Sequence, residues 1–322
     1  MTMPSVIASR QGRIGHILLN RPRTLNALDH EMIQSMSEAL GAWRDDPSVH
    51  AVVIEGAGDR AFCAGGDIRT VRDAALRGDT AAITAFFTEE YALNTAIARF
   101  PKPYVALIDG FCMGGGIGIS VHGQIRVASE HAQFAMPETA IALFPDVGAT
   151  YVLPRLPGNL GLYLGLTGIR MVGADAVHAG LATHLVPRAD FPALLAALVE
   201  DGASVVAAHA HTLPPFSLAA ERAAIDRCFG ADSVDGIFED LAQEDSEWAS
   251  KTLTTLGHMS PSSLRWSFDI IRAGAERNLE QCLAAELALV QRVTRHPDFA
   301  EGVRAMVVDK DRSPKWGPLS PA

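Results

Sequence analysis

Two periodicities alternate along the first two-thirds of the chain. A short apolar run over residues 13–20 predicts a strand, which Arg21-Pro22-Arg23-Thr24 breaks. Met32, Ile33, Met36, Leu40 and Trp43 then share one face at helical spacing, with Asp29 in the N-cap place and Asp45-Asp46-Pro47 closing the helix. Residues 51–54, rich in β-branched side chains, read as the next strand, and the loop from Gly56 to Asp67 leads into a second helix. The pattern lapses at Arg77-Gly78-Asp79, where a flap is expected. It resumes as a helix carrying Phe86, Phe87, Leu93 and Ile97 and stops at Phe100-Pro101-Lys102-Pro103. Further strands are predicted at residues 104–108, 125–128, 133–135 and 183–186, with a glycine-rich turn at 110–118 and a helix from Asp190. Strands followed by helices predict an α/β core over residues 1–202. From residue 203 to 322 only helices are predicted, from stripes such as Leu279, Cys282, Leu283, Glu286, Leu287 and Val290, with caps at Ser260-Pro261 and at Asp298 with Glu301.

Composition narrows the function classes. The 322 residues are 48% hydrophobic and 20% charged, the balance of a folded globular chain with a sizeable core. A net charge of −10 argues against nucleic acid and against anionic membranes, so any polyanionic ligand must be met by local positive charge. The most apolar stretch, residues 103–121, is interrupted by Asp109 and five glycines and does not read as a membrane span. The N-terminus, Met1-Thr2-Met3-Pro4-Ser5, has no leader-like pattern, and a cytoplasmic enzyme is the expectation. Cys63, Cys112, Cys228 and Cys282 lie far apart and predict reduced, structural thiols.

Three motifs carry candidate chemistry, each with a plainer reading beside it. Gly114-Gly115-Gly116-Ile117-Gly118 follows a strand and opens a helix, where exposed N–H groups favour an anion or a developing oxyanion. Close helix–strand packing explains the same glycines without a ligand. A dinucleotide fingerprint fails because Val121 stands where the third glycine belongs, and Gly118-Ile119-Ser120-Val121-His122 lacks the second glycine of a nucleophile elbow. Phe62-Cys63-Ala64-Gly65-Gly66-Asp67-Ile68 is a second small-residue loop before a helix; two such loops can converge on one carbonyl oxygen, and either alone is equally a simple turn. Cys63 has no neighbouring histidine to act as base and reads as structural. In the third motif Glu138 and Asp146 stand in apolar company, so they must be paired, hydrogen-bonded or functional; Pro145 also sets up Asp146 as a helix N-cap. Glu89-Glu90-Tyr91 would ordinarily face solvent, and the 11 histidines have no metal-ligand spacing, so no metal site is expected.

Together the three motifs resemble the crotonase (enoyl-CoA hydratase/isomerase) superfamily, and within it the branch of 3-hydroxyisobutyryl-CoA hydrolases. The likeness runs through residues 62–69, 86–91, 102–108, 113–123 and 134–148, while 298–305 and 309–316 look like the hydrolases' C-terminal signature. It implies a spiral of ββα units with an all-helical C-terminal region, and an acyl-CoA whose thioester oxygen is held by the N–H groups of Gly66 and Gly115. Hydratases place a glutamate where this chain has Gly118, so of their two acidic residues only Glu138 is present and hydration is disfavoured. By the same resemblance Glu138 is the catalytic carboxylate, attacking the thioester carbonyl or activating a water upon it. Asp146 would meet the reacting acyl group or help the hydrolytic step, and Glu90 the hydroxyl end of the substrate.

For CoA the resemblance points to Leu25, Ala27, Ala64, Asp67 and Ile68, with Arg21, Arg23, Arg69, Arg72 and Lys102 as candidate positive charge. The implied reaction cleaves 3-hydroxyisobutyryl-CoA, or a close 3-hydroxyacyl-CoA, in valine breakdown, with no cofactor beyond the CoA of the substrate. Enoyl-CoA hydration or isomerisation is the nearest rival, and a non-catalytic acyl-CoA-binding subunit the next. Ala149 and Thr150 replace the glycines that usually follow Gly148 in the hydrolases, which bears on acyl preference. Superfamily members form trimers or hexamers, so self-association is an open expectation.

Overall fold

A computed structural model describes residues 3–318; Met1 and Thr2, the start of the N-terminus read above, lie outside the described residues. Strands β1 (Val6–Gln11) and β2 (Ile14–Leu19) form a hairpin, and helix α1 (His30–Arg44) leads to β3 (Ala51–Gly56) and β4 (Ala61–Cys63). Helices α2 (Ile68–Leu76) and α3 (Thr80–Ala98) precede β5 (Tyr104–Ile108), β6 (Phe111–Met113) and α4 (Gly115–Val121). Then come β7 (Ile125–Ala128), β8 (Gln133–Ala135), α5 (Ala149–Val152), α6 (Leu160–Thr167) and β9 (Met171–Val172). α7 (Ala174–Ala179), β10 (His184–Leu185), α8 (Phe191–Asp201) and α9 (Val206–His209) end the mixed part. Beyond it the regular elements are helical: α10 (Arg222–Cys228), α11 (Val234–Gln243), α12 (Glu247–Gly257), α13 (Pro261–Gly274), α14 (Leu279–Val293), α15 (Pro297–Val303) and a π-helical turn at Arg304–Val308.

The chain groups into two compact units. One comprises the chain up to Gly66, Glu89–Ala135 and Arg170–Phe216; the other comprises Asp67–Thr88, Met136–Ile169 and the chain from Ser217 onward. Both sheets belong to the first. The larger runs β1-β2-β3-β5-β7-β10 and the smaller β4-β6-β8-β9. Consecutive strands therefore alternate between sheets, β3 with β4, β5 with β6 and β7 with β8, which is the ββα spiral implied by the resemblance. The inner strands of the large sheet are parallel, and Ile14, Val53, Val105, Leu107 and Val127 on them form one core with Leu194 and Leu198 of α8. Asp29 caps α1 by accepting from the Met32 N–H at 2.9 Å, and Lys102 closes the same helix by donating to the Trp43 and Asp46 carbonyls at 2.6 Å.

Four strands have no counterpart in the sequence reading. β4 and β6 are three residues each and β9 two, too short to establish a period, and β1 is an edge strand whose exposed positions carry polar side chains. The flap expected at residues 77–79 is a tight turn: Gly78 takes φ +70° and the Asp79 carboxylate accepts from the Ala82 N–H at 3.0 Å.

The second unit is organised around α13, which buries both its apolar residues and Ser262, Ser263 and Ser267. A side chain on Gly274 would run into the Thr150 carbonyl, and one on Gly161 into the Leu153 carbonyl, so α13 packs on α5, and α6 on the turn that follows α5, at backbone distance. The tail folds back on this unit. Arg304 pairs with Glu301, Asp309 and Asp311; the Trp316 indole donates to the His258 carbonyl at 3.0 Å; and the Gly317 N–H donates to Asp298, which also accepts from Ser260. All four cysteines are buried and free.

Candidate active site

The candidate residues of the first unit are set out by backbone. Leu25 and Asn26 both take positive φ after β2, a conformation asparagine tolerates better than leucine. Asn26 holds it from full burial, donating to the Ala57 and Ala61 carbonyls at 3.0 and 2.9 Å and accepting from the Arg21 N–H at 2.9 Å. This loop is laced to the Phe62–Ile68 loop: Ala64 N–H donates to the Leu25 carbonyl at 3.0 Å, and Leu28 N–H to the Gly65 carbonyl at 2.8 Å. Leu25, Ala27 and Ala64 thus lie together, and Gly66 is bridged to Leu28.

Gly115 opens α4, so its N–H has no acceptor within the helix. A side chain there would begin 3.1 Å from the Gly66 nitrogen and 2.5 Å from a Glu90 carboxyl oxygen. The two glycine loops therefore converge, and Gly115 needs glycine because a side chain there would run into the Glu90 carboxyl. Glu90 is buried at 2% exposure beside Gly115, and does not face solvent as acidic residues on helices usually do. Ser120 bonds back to the Gly116 carbonyl at 2.8 Å, which removes the nucleophile-elbow reading, and burial pushes the Cys63 thiol up to about 12, where it is not a nucleophile.

Further candidate residues belong to the second unit. Glu138, 6% exposed, begins a 3-10 turn, Glu138–Ile141, whose Thr139 hydroxyl donates to the Leu166 carbonyl at 3.1 Å. Asp146, 4% exposed, precedes Val147 at φ +53° and Gly148 at φ +79°. The left-handed conformation costs a β-branched residue about 1–3 kcal/mol, so the surroundings must impose it. The N-cap reading of Asp146 is corrected here: α5 begins at Ala149 and Gly148 occupies the cap position, without a side-chain cap.

Sequence reasoning missed Glu286. It is fully buried on α14, where one carboxyl oxygen accepts from the Gly148 N–H at 2.8 Å and the other from the Thr150 N–H at 3.2 Å and the Thr150 hydroxyl. Burial first, and the charge of Asp146 second, push its carboxyl up to about 8. The signal was present: Glu286 interrupts the apolar stripe of α14, a position where an unpaired carboxylate is costly.

The basic residues proposed for CoA are committed elsewhere in several cases. Arg21 donates to the Ala27 carbonyl at 2.6 Å and pairs with Asp29; Lys102 caps α1; Arg72 donates to the Ala300 carbonyl at 2.9 Å and Arg69 to that of Val307. Arg23 is exposed. Asp67 and Ile68 directly follow Gly66 at the start of α2. Among the described residues no His, Cys, Asp and Glu side chains gather as metal ligands do.

Known proteins match this chain along nearly its whole length. It is 48% identical to a mitochondrial 3-hydroxyisobutyryl-CoA hydrolase of Xenopus tropicalis over 97% of this chain and 84% of that protein. The human protein of the same name is 45% identical over 97% and 84%. Among solved structures, a carnitinyl-CoA dehydratase from Mycobacterium thermoresistibile superposes with TM-score 0.95 at 39% identity, covering 99% of this chain and 93% of that one. An enoyl-CoA hydratase from Rhodobacter sphaeroides gives 0.92 at 42%, covering 97% and 92%. The enoyl-CoA hydratase/isomerase family model spans residues 14–322, and the chain belongs to that family.

Proposed function

We propose that the protein hydrolyses the thioester of 3-hydroxyisobutyryl-CoA, releasing CoA and 3-hydroxyisobutyrate, a step of valine degradation. The observation that carries this reading is the match over 97% of this chain and 84% of the relatives, at 45–48% identity, to proteins named for that reaction. The dehydratase and hydratase names of the solved structures are the rival reading. Hydration, by the family resemblance, uses a second glutamate at the position of Gly118, which here has no side chain.

In this reading the Gly66 and Gly115 N–H groups hold the thioester oxygen and stabilise the charge that grows on it. Glu138 is the catalytic carboxylate, by attack on the carbonyl carbon or by taking a proton from the attacking water. Water supplies the hydroxyl of the acid, and the CoA sulfur leaves with a proton. Asp146 assists the acyl group, Glu90 contacts its hydroxyl, and the segments around Leu25, Ala27, Ala64, Asp67 and Ile68 carry CoA. No cofactor enters. Four buried thiols suit a reducing compartment, for which we propose the cytoplasm, although the named relatives are mitochondrial; cell fractionation checks it. Self-association is part of the proposal and is read by sedimentation velocity.

The test is release of CoA thiol from (S)-3-hydroxyisobutyryl-CoA, with Glu138→Gln and crotonyl-CoA run in parallel. Thiol release that falls about 10²- to 10⁴-fold in the variant is the expected result. Loss of crotonyl-CoA absorbance without thiol release would establish hydration, and tight binding of the ester without turnover a binding subunit.

A further inference from the structure

The geometry points to Glu286 as the positioning residue for Asp146, holding the turn that presents it. The inference rests on the hydrolase reading for the role of Asp146, and on the clamp itself for the rest.

Three observations meet at this side chain. Val147 and Gly148, the two residues after Asp146, are both left-handed, and a valine adopts that conformation only where the surroundings enforce it. The partners on Glu286 are the groups just beyond that strained pair: Gly148 N–H, Thr150 N–H and Thr150 hydroxyl, reached from α14 across more than 130 residues of sequence. Glu286 is also fully buried. Asp146 is the charge that bears on it, and Cys282, on its own helix, feels its field. On the elements packed against α14, α5 contributes only Tyr151, while Arg265, Asp269 and Arg272 of α13 are exposed. Burial and the neighbouring Asp146 charge push the Glu286 carboxyl up to about 8, so its ionisation above that value puts a further buried negative charge beside the turn. Thr150 replaces a glycine usual in the hydrolases, and its hydroxyl adds a partner for Glu286 that glycine cannot offer.

The experiment compares wild type, Glu286→Ala and Glu286→Gln by steady-state thiol release across pH and by amide hydrogen exchange at residues 147–150. Glu286→Ala should lower kcat about 10²-fold with KM nearly unchanged, and speed exchange of the Gly148 and Thr150 amides. Glu286→Gln, which keeps an acceptor for one side of the turn, should recover part of that loss. It should also erase an alkaline limb near pH 8 present in the wild type. Wild-type kcat and an intact alkaline limb in both variants would overturn the proposal even if their melting temperatures fall, as would unchanged exchange at the turn in Glu286→Ala. If wild type releases no thiol but hydrates crotonyl-CoA, the hydrolase reading fails; positioning then stands or falls on whether the variants alter hydration and exchange together.

Discussion

At Gly115 the lack of a side chain decides what fits. A methyl there would press on the Glu90 carboxyl and the Gly66 nitrogen, and in the proposed reaction it would crowd the two N–H groups assigned to the thioester oxygen. Gly115→Ala is expected to cost about 10²- to 10³-fold in kcat, measured by thiol release, with an unchanged circular dichroism spectrum. Glu286 gives a second prediction with a sign. Its carboxyl ionises near 4.5 when unfolded and near 8 when folded, so the folded chain holds a proton that the unfolded chain has lost between those values. Stability from this group is complete below the lower value and declines as pH rises to the upper one. Thermal melts of wild type and Glu286→Gln should therefore shift in favour of the variant between about pH 5 and about pH 9. Glu138 and Asp146 were legible in the sequence because carboxylates in an apolar run announce their own cost. Glu286 stood in the apolar stripe of α14, but its role was hidden because its partners, Gly148 and Thr150, lie more than 130 residues away, and Asn26 was hidden because its partners, Ala57 and Ala61, lie more than thirty residues away.

Elements with a clear period were readable, and their ends were set by residues with a mechanism. Asp29 starts α1, Ser260 starts α13 with its hydroxyl accepting from Ser263 N–H at 3.3 Å, and Asn278 with Gln281 forms a capping box on α14. Asn278→Ala should lower stability by about 1 kcal/mol in chemical denaturation. What carried no period was not readable: β4 and β6 are defined by their neighbours in the small sheet rather than by their own three residues. Contact between helices was equally invisible. Gly161 and Gly274 read only as weak helix formers, yet both admit a backbone carbonyl where a side chain would stand. Gly274→Ala should destabilise the protein by about 1–3 kcal/mol or more through overpacking between α13 and α5, a loss that a melting curve detects without any change at the substrate loops.

For the molecule as a whole, the tail is a clasp on the helical unit. The Arg304 guanidinium, with the Lys315 N–H, holds the Glu301 carboxyl down to about 2, so its contribution is complete above the ordinary carboxylate range and disappears as pH falls through about 2. Arg304→Ala is expected to open residues 305–317 to limited proteolysis at neutral pH, where the wild-type tail is protected. The four cysteines act on a larger scale still. Each is buried and has its thiol held above the ordinary range by desolvation, so a colorimetric disulfide reagent meets almost no thiolate on the native chain. In a turnover assay the colour then comes from product alone. Withhold the substrate and the same reagent becomes a clock for opening of the fold: its slow colour rise counts chains that expose their interior, and denaturant should bring the total to four equivalents per chain.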